Sequence, residues 1–382
     1  MRFHWCSPLD ESRVLNLLKD LVSTNSENPP GREIEVAKVL QDHMEAHGIS
    51  STKVGPRKRP NLIFSSHDGE KGDLVIHGHM DTVPAGPLET WTRAPFEPEI
   101  ENGRVYGRGT CDMKGPVAAL AETLIMYTEE RNEKPLVMLA TSDEESGCSG
   151  AKAVAASGLL TGIKYGVCAE PTSLQVLVGE KGAFWFKVVA DGKSAHGSRP
   201  DEGINAIQRC IRAIDMILSE PFPYEEDPLL GSPTINLGVI EGGIKVNVVP
   251  DKCEAQLDMR IVKGQTPEGL QVMMNKRLAD RGIEGTRVEY IHGKPAVRTP
   301  TDAPIVIAAS DAVHMITGSK PTLSAATYGT DCSVLQPKVG ILNVVCGPGS
   351  IEQAHQPDEY IRLQELYDSV RVYKRIADHF SE

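Results

Sequence analysis

The stretch that most constrains this chain is residues 74–84, an apolar run that ends in two histidines and an aspartate. The run predicts a buried β-strand that leads into a polar loop. Each imidazole or carboxylate removed from water needs a partner, and a metal ion would satisfy several of them together. In the segment His79-Met-Asp81, we expect His79 to bind the ion and Asp81 to hold its far ring nitrogen. Strand alternation alone leaves both His77 and His79 open as the ligand.

Three further apolar runs end in the same way. The runs and the polar residues that follow them are 135–141 with Asp143, Glu144 and Glu145, 165–169 with Glu170, and 341–346 with His355. The three adjacent carboxylates predict either a solvated turn or a buried cluster that requires cations or protons, because like charges repel at low dielectric. In open α/β sheets, sites lie at the carboxyl ends of the strands. The repetition therefore predicts a metal centre at that edge.

Asp112 lies in a glycine-rich loop, residues 103–115, just before a helix predicted to begin near Pro116. An acidic residue here can cap the helix, because it accepts hydrogen bonds from free amides and favours the positive end of the helix dipole. The flanking glycines instead indicate that the main chain comes close to another group. Both functions of Asp112, helix cap and metal ligand, stay open on this pattern.

The composition argues against several classes of partner. A net charge of −12 without a long basic run disfavours nucleic acid and anionic membranes. The N-terminal residues contain no apolar signal core and no run approaches the length of a membrane span, so we predict a cytoplasmic protein. The 8 cysteines include no Cys-X-X-Cys pair, which disfavours a zinc ribbon or a disulfide framework and favours small buried residues.

The chain length of 382 residues predicts about two domains. Amphipathic helices over 10–23 and 32–47, together with the apolar runs, predict an α/β domain with a mixed, mostly parallel sheet and helices on both faces. This domain is expected to comprise residues 1–178 and 294–382. The interval 179–293 changes to the order strand, helix, strand, strand, helix, strand, which predicts an inserted ferredoxin-like βαββαβ domain.

Six motifs resemble those of a family of dinuclear zinc metallopeptidases and deacylases. They are His79-Met-Asp-Thr-Val-Pro, Gly107-Arg-Gly-Thr-Cys-Asp112-Met-Lys-Gly, Asp143-Glu144-Glu145, Ala169-Glu170-Pro, Gly192-Lys-Ser-Ala-His196-Gly and Gly347-Pro-Gly-Ser-Ile-Glu-Gln-Ala-His355-Gln-Pro-Asp-Glu. The family includes acetylornithine deacetylase, succinyl-diaminopimelate desuccinylase, aminoacylase and glutamate carboxypeptidase. The resemblance follows essentially the whole chain in order, with equal intervals from His79 to Asp112 and from Asp112 to Glu145.

The resemblance implies a site for two zinc ions, with cobalt or manganese as substitutes. The implied ligands are Asp112 between the two ions, His79 and Glu170 on one ion, and Glu145 and His355 on the other. The same pattern favours His79 over His77. Glu144 is adjacent to a ligand and is not needed as one. We therefore expect it to be the general base that takes a proton from the attacking water and returns it to the leaving amine.

The resemblance also implies contacts with the substrate. His196 resembles a histidine that donates to the oxyanion and reaches the site from a second subunit. The inserted domain is accordingly expected to act as a lid and to form a homodimer. Arg260 and Asn247 match positions that bind a substrate carboxylate, while Gly329 and Thr330 would offer main-chain and hydroxyl donors.

The leading functional hypothesis is metal-dependent removal of an acyl group from the nitrogen of an amino acid. The first alternative keeps the same chemistry but cleaves dipeptides or the C-terminal residue of short peptides. A non-catalytic binding relative is the third hypothesis, and the presence of Glu144 with all of the implied ligands argues against it. A glutamate at position 170 resembles the deacetylase and desuccinylase branch of the family, because carboxypeptidase-like members more often carry aspartate there.

Overall fold

The computed structural model of the chain describes residues 9–381, and Cys6 with its neighbours lies outside them. The helices are α1 (Glu11–Ser23), α2 (Glu33–Ala46), α3 (Lys114–Glu129), α4 (Glu144–Gly147), α5 (Ser149–Ser157), α6 (Ala206–Ser219), α7 (Pro267–Asp280), α8 (Pro304–Thr317), α9 (Cys332–Val339) and α10 (Leu363–His379). Short 3-10 turns lie at Leu88–Thr90 and Pro200–Glu202.

The strands alternate with these helices along much of the chain. They are β1 (Ser51–Val54), β2 (Asn61–Ser65), β3 (Leu74–His79), β4 (Glu99–Glu101), β5 (Arg104–Tyr106), β6 (Leu136–Thr141), β7 (Tyr165–Cys168), β8 (Leu177–Glu180), β9 (Gly182–Asp191), β10 (Thr234–Gly242), β11 (Lys252–Ile261), β12 (Thr286–Lys294), β13 (Val297–Arg298), β14 (Ser324–Ala326), β15 (Leu342–Val345) and β16 (Tyr360–Arg362). Strands β16, β5 and β4 form a small antiparallel sheet of their own.

The described chain divides into two compact units. The first contains residues 9–179, Thr299–Ser324 and 330–381, and the second contains Glu180–Arg298 with Ala325–Gly329. The sequence predicts 179–293 for the inserted domain, and the observed second unit also takes in a short later segment. That segment is held to the second unit by a hydrogen bond of 3.0 Å from the Lys181 N–H to the Ala326 carbonyl. Strands β8, β13 and β14 lie where the chain passes from one unit to the other.

The larger sheet has the strand order β1-β2-β6-β3-β7-β15-β8-β13, with β14 beside β8. Strands β6, β3, β7 and β15 are adjacent and parallel, whereas β1 and β2 join the sheet in antiparallel fashion. Runs of Val, Leu and Ile form the parallel strands because both faces of such a strand are covered. The predicted mixed α/β sheet is confirmed, and four carboxyl ends meet at one edge.

Helices cover both faces of this sheet. On one face, a Cβ at Gly78 would lie only 2.4 Å from Met113 Cε, so the absence of a side chain allows the start of α3 to approach β3 closely. Alternate strand residues point to the opposite face, where Val75, Val137 and Leu139 pack with α5 and α9. Helix α3 is itself covered by α1 and α10, which explains why it is buried along nearly its whole length.

The second unit is a four-stranded antiparallel sheet with the order β10-β11-β9-β12. Helices α6 and α7 pack against it, and Phe184 and Phe186 lie in the core between the layers. Helix α7 is capped by Thr266, whose Oγ accepts the Gly269 N–H at 3.1 Å. This is the predicted ferredoxin-like arrangement. Before β11, the chain turns at Lys245, whose carbonyl accepts the Val248 N–H at 3.1 Å.

The described cysteines are all buried, as predicted, and no disulfide forms among residues 9–381. Within the same residues, no helix combines the length and the apolar character that a membrane crossing requires.

Candidate metal centre

The candidate metal centre lies where the carboxyl ends of the parallel strands meet. His79 is the last residue of β3, and Glu170 follows shortly after β7. The His79 Nε2 atom lies 3.0 Å from Asp112 Oδ1 and 3.6 Å from Glu170 Oε1. All three side chains are buried. The structure therefore brings together the three residues expected around the first ion.

A second group joins the first through Asp112. The His355 Nε2 atom lies 3.2 Å from Glu145 Oε2 and 3.4 Å from Asp112 Oδ2. The two carboxylate oxygens of Asp112 thus face different histidines. His355 is the least buried member of the group, since 51% of its side chain is exposed.

Asp112 does not cap the helix that follows it. The residue that precedes α3 is Met113, and no side chain forms a cap hydrogen bond there. Of the two functions that the sequence left open for Asp112, the structure supports a place among the histidines.

The charges of this cluster do not balance among its own side chains. Burial and the charge of Asp112 raise the pKa of Glu145 to about 7, and the same causes raise the pKa of Glu170 well above its ordinary value. Hydrogen bonds to Asp112 and Glu145 raise the pKa of His355 to about 10. Crowded, buried carboxylates of this kind require protons or cations to offset their repulsion.

The donor atoms also suit a metal ion. Two overlapping sets of side chains each have their candidate ligand atoms within 4.8 Å of one another, and they are His79, Asp112 and Glu145, and His79, Glu144 and Glu170. Imidazole nitrogen and carboxylate oxygen at this spacing are donors that Zn²⁺ accepts. The residues present therefore fit a divalent metal centre.

Asp81 lies beside the far ring nitrogen of His79, and the structure shows which of its oxygens is in contact with the ring. The His79 Nδ1 atom lies 2.8 Å from the Asp81 main-chain oxygen and 3.7 Å from its carboxylate. The carbonyl, rather than the carboxylate, is therefore the closer acceptor for the Nδ1 hydrogen, which leaves Nε2 directed toward Asp112. The Asp81 carboxylate instead accepts the N–H groups of Glu144 and Glu145, both at 3.2 Å, and so fixes the start of α4.

His77 lies away from the cluster. It is fully buried within β3, and its Nε2 lies 3.0 Å from Asn343 Oδ1. Burial lowers the pKa of His77 to about 4, so the ring is neutral in this environment. Of the two histidines that strand alternation left open, only His79 lies beside Asp112.

Two residues beside the cluster were not identified from the sequence. The Asn28 side chain donates to Asp81 at 2.8 Å and to Asp143 at 3.0 Å, and Arg59 donates to Asp143 at 2.9 Å. Arg59 also forms an ion pair with the buried Glu33. Asp143 has a positive φ of 66°, so its side chain turns to this network while the next two residues face the histidines. The Asn28-Pro-Pro-Gly turn is the signal that could have drawn attention to this segment.

His196 and Asn247 lie on neighbouring segments of the second unit. The Gly197 N–H donates to the Asn247 carbonyl at 2.8 Å, and His196 pairs with Val248 in an isolated bridge. The Ser198 N–H donates to His196 Nδ1 at 3.2 Å. Nδ1 is therefore an acceptor in this contact, which places the ring hydrogen on Nε2. Both His196 and Asn247 are exposed.

The other predicted substrate contacts have different surroundings. Arg260 on β11 is half-buried and donates to Asp258 at 3.0 Å. Gly329 ends the later segment of the second unit, and Thr330 begins the last segment of the first. The Thr330 hydroxyl is buried and accepts the Cys332 N–H at 3.0 Å, so it stabilises the start of α9.

Comparison with known proteins identifies the family to which this chain belongs. Residues 75–379 match Peptidase family M20/M25/M40, and the chain belongs to this family. The resemblance drawn from the motifs is thereby confirmed. The fold is that of the hydrolases of this family.

Individual relatives narrow the comparison. The acetylornithine deacetylase of Edwardsiella ictaluri (strain 93-146) is 35% identical over 337 residues, which cover 85% of this chain and 85% of that protein. An M20 family metallo-carboxypeptidase from Sulfolobus solfataricus superposes with a TM-score of 0.82 at 21% identity, covering 96% of this chain and 99% of that chain. The YXEP protein of Bacillus subtilis, a dinuclear metal binding peptidase from the M20 family, gives 0.73 at 18% identity, with coverage of 96% and 97%. The two solved structures show the shared fold.

Proposed function

We propose that this protein hydrolyses the amide bond of an N-acylated amino acid in a metal-dependent reaction. The observation that carries the proposal is the cluster around Asp112, found in a chain that is 35% identical to an acetylornithine deacetylase over most of both lengths. Cleavage of a dipeptide or of a C-terminal residue is the alternative. It is favoured by the high structural similarity to a metallo-carboxypeptidase, with a TM-score of 0.82.

The proposed cofactor is a pair of Zn²⁺ ions, with Co²⁺ or Mn²⁺ as substitutes. We assign His79 and Glu170 to one ion, Glu145 and His355 to the other, and Asp112 to both, because its two oxygens face the two histidines. When bound, the ions would supply Lewis acidity for amide hydrolysis.

Glu144 is the proposed general base. Its carboxylate belongs to the same set of donor atoms as His79 and Glu170, and its main-chain N–H is fixed by the Asp81 carboxylate at 3.2 Å. In the proposed step, Glu144 takes a proton from the water whose oxygen bonds to the amide carbon. It then gives that proton to the amine nitrogen as the C–N bond breaks.

Residues of the second unit are proposed to bind and polarise the substrate. His196 presents an Nε2 hydrogen, because Nδ1 accepts the Ser198 N–H, and such a donor suits a developing oxyanion. Arg260 and Asn247 are proposed to bind the substrate carboxylate, with donors from Gly329 and Thr330. A guanidinium matches a carboxylate in shape and charge.

A homodimer formed along β10 is also proposed. Strand β10 is one edge of the antiparallel sheet, and its side chains are almost all exposed. The exposed apolar residues of this region are Leu237, Val239, Ile240, Ile244 and Val246. The opposite edge strand, β12, carries Arg287 and Glu289, and charged side chains of this kind discourage edge-to-edge pairing. The location of the protein in the cytoplasm stays a prediction.

The proposed function is tested with a panel of N-acetyl, N-succinyl and N-formyl amino acids and of dipeptides. Amine release is measured on chelator-treated protein before and after Zn²⁺ or Co²⁺ is restored. We expect turnover of acyl amino acids only after the metal returns. Turnover confined to dipeptides would favour the peptidase alternative, and metal-bound protein that cleaves nothing in the panel would contradict both.

A further inference from the structure

Glu359 is a fully buried carboxylate on the segment that precedes β16. Its Oε1 accepts the main-chain N–H groups of Cys111 at 2.8 Å and of Asp112 at 2.9 Å. Its Oε2 accepts the Gly109 N–H at 3.1 Å and Arg108 Nη1 at 2.6 Å. One side chain thus receives hydrogen bonds from four residues of the loop that carries Asp112.

The main chain around Glu359 is fixed to the same loop. Strand β16 pairs with β5 in antiparallel register, with Tyr360 opposite Tyr106. The Gly107 N–H donates to the Glu359 carbonyl at 2.9 Å. The buried Arg108 lies under the ring of Trp91, with 5.1 Å between its guanidinium carbon and the ring centroid. The carboxylate therefore has a defined position relative to the loop.

A carboxylate is an unusual choice for this position, because it is buried beside the negative charge of Asp112. Burial of a charge is unfavourable unless hydrogen bonds and a counter-charge offset it. Here the loop N–H groups and Arg108 provide both. Conversely, an apolar residue at position 359 would leave the N–H groups of Cys111 and Asp112 without this acceptor, and buried N–H groups are rarely left unpaired.

We propose that Glu359 is a positioning residue for the metal centre. It holds the main chain at Asp112 and ties it to the segment that carries His355. The inference rests on the proposed function, in which Asp112 and His355 are metal ligands. The Asp112 oxygens lie 3.0 Å from His79 Nε2 and 3.4 Å from His355 Nε2, so a shift of the loop alters both groups at once. Residues that orient ligands in this way set metal affinity.

The test compares Glu359→Gln with a matched variant, Glu122→Gln. Glu122 on α3 is equally buried and is also paired with an arginine, since Arg13 donates to it at 2.6 and 2.8 Å. Both substitutions remove one buried charge from an arginine pair. Only Glu359 touches the loop that carries Asp112, so the comparison separates general stability from positioning.

The measurements are the Zn²⁺ dissociation constant, from competition with a chromophoric chelator, and the thermal midpoint of the metal-free protein. We expect both variants to lower the midpoint. Only Glu359→Gln should weaken Zn²⁺ binding, by about 10–100-fold. The absorption spectrum of the Co²⁺-loaded protein should change in Glu359→Gln and stay as in the unmodified protein in Glu122→Gln.

The outcomes distinguish this inference from the proposed function. Unchanged Zn²⁺ affinity in folded Glu359→Gln, or equal weakening in both variants, overturns the positioning role and leaves the proposed function intact. Unmodified protein that does not bind Zn²⁺ overturns both. Should Glu359→Gln not fold, Glu359→Asp keeps the charge on a shorter side chain. Weakened Zn²⁺ binding in Glu359→Asp supports the inference, and unchanged binding overturns it.

Discussion

The two units hold their candidate functional residues in opposite ways. In the first unit, His79, Asp112 and Glu170 are buried, and the His79 ring lies within hydrogen-bond or ion-pair distance of both carboxylates. In the second unit, His196 and Asn247 are exposed and are fixed mainly through main-chain contacts of their loops. The first group is assembled by the folding of the chain itself. The second group is open to solvent. Under the proposed function, its binding partner is the substrate or a second subunit.

This difference separates two kinds of contribution to catalysis. Residues of the first unit should determine whether metal binds and whether the proton is transferred. Residues of the second unit should change the rate or the assembly state without changing metal content. A substitution in the second unit that removes the metal, or a ligand substitution in the first unit that leaves metal binding unchanged, would contradict this comparison.

The largest effect is expected for Glu144→Gln. The amide cannot accept the proton of the attacking water, so kcat should fall by about 10²–10⁴ or more. Zn²⁺ content should stay as in the unmodified protein, because Glu144 is not one of the assigned ligands. Steady-state kinetics and metal analysis on the same sample provide the measurement.

Asp143→Asn is the matched control for Glu144→Gln. The Asp143 side chain points to Asn28 and Arg59, away from the histidines. Its substitution should therefore reduce kcat by less than about tenfold. A metal-loaded Glu144→Gln enzyme with nearly full activity would remove Glu144 from the proposed mechanism.

The second effect, by size, is expected for His196→Ala. Loss of one oxyanion donor should lower kcat by about 10²–10³ while Zn²⁺ affinity stays constant. His196→Gln keeps an N–H donor and should recover part of the rate. Kinetics and metal titration of both variants check the prediction. Loss of metal in His196→Ala would instead place this residue with the first group.

The smallest effect is expected for Ile240→Lys at the proposed dimer edge. A charge on exposed β10 should raise the dimer dissociation constant by about tenfold or more, because it would be buried in the interface. Ile291→Lys is the matched control, since Ile240 and Ile291 are 47% and 44% exposed on opposite edge strands of one sheet. Analytical ultracentrifugation measures both variants. If the unmodified protein is monomeric at every protein concentration measured, the proposed interface is contradicted.

Much of the first unit was predictable from short-range patterns. Apolar runs located the parallel strands, and the polar residues at or shortly after their ends drew attention to Glu145, Glu170 and the pair His77 and His79, of which the motif resemblance favoured His79. The strand order then brings these residues to one edge, as the rule for parallel sheets requires. Local pattern was sufficient here because each strand carries its own candidate ligand.

Contacts between segments that are distant in the sequence were harder to predict. The Asn28 side chain donates hydrogen bonds to Asp81 and Asp143. Both residues are far from Asn28 in the sequence, so no local pattern predicts these contacts. For Asp81, the sequence indicated the residue that holds the His79 ring. It could not indicate that the main-chain oxygen, and not the carboxylate, makes the contact. The function of Thr330 at the start of α9 likewise depends on where that helix begins.

The pairing of β16 with β5 joins an early part of the chain to a late one, so it forms only near the end of synthesis. His79, Asp112, Glu145 and Glu170 are all synthesised before the second unit, whereas His355 and Glu359 follow it. Domains generally fold as the chain emerges, N-terminal parts first. The residues of the cluster that precede the second unit therefore emerge from the ribosome before the others. The loop around Asp112 acquires the Glu359 acceptor, and the cluster its second histidine, only when the last part of the chain arrives.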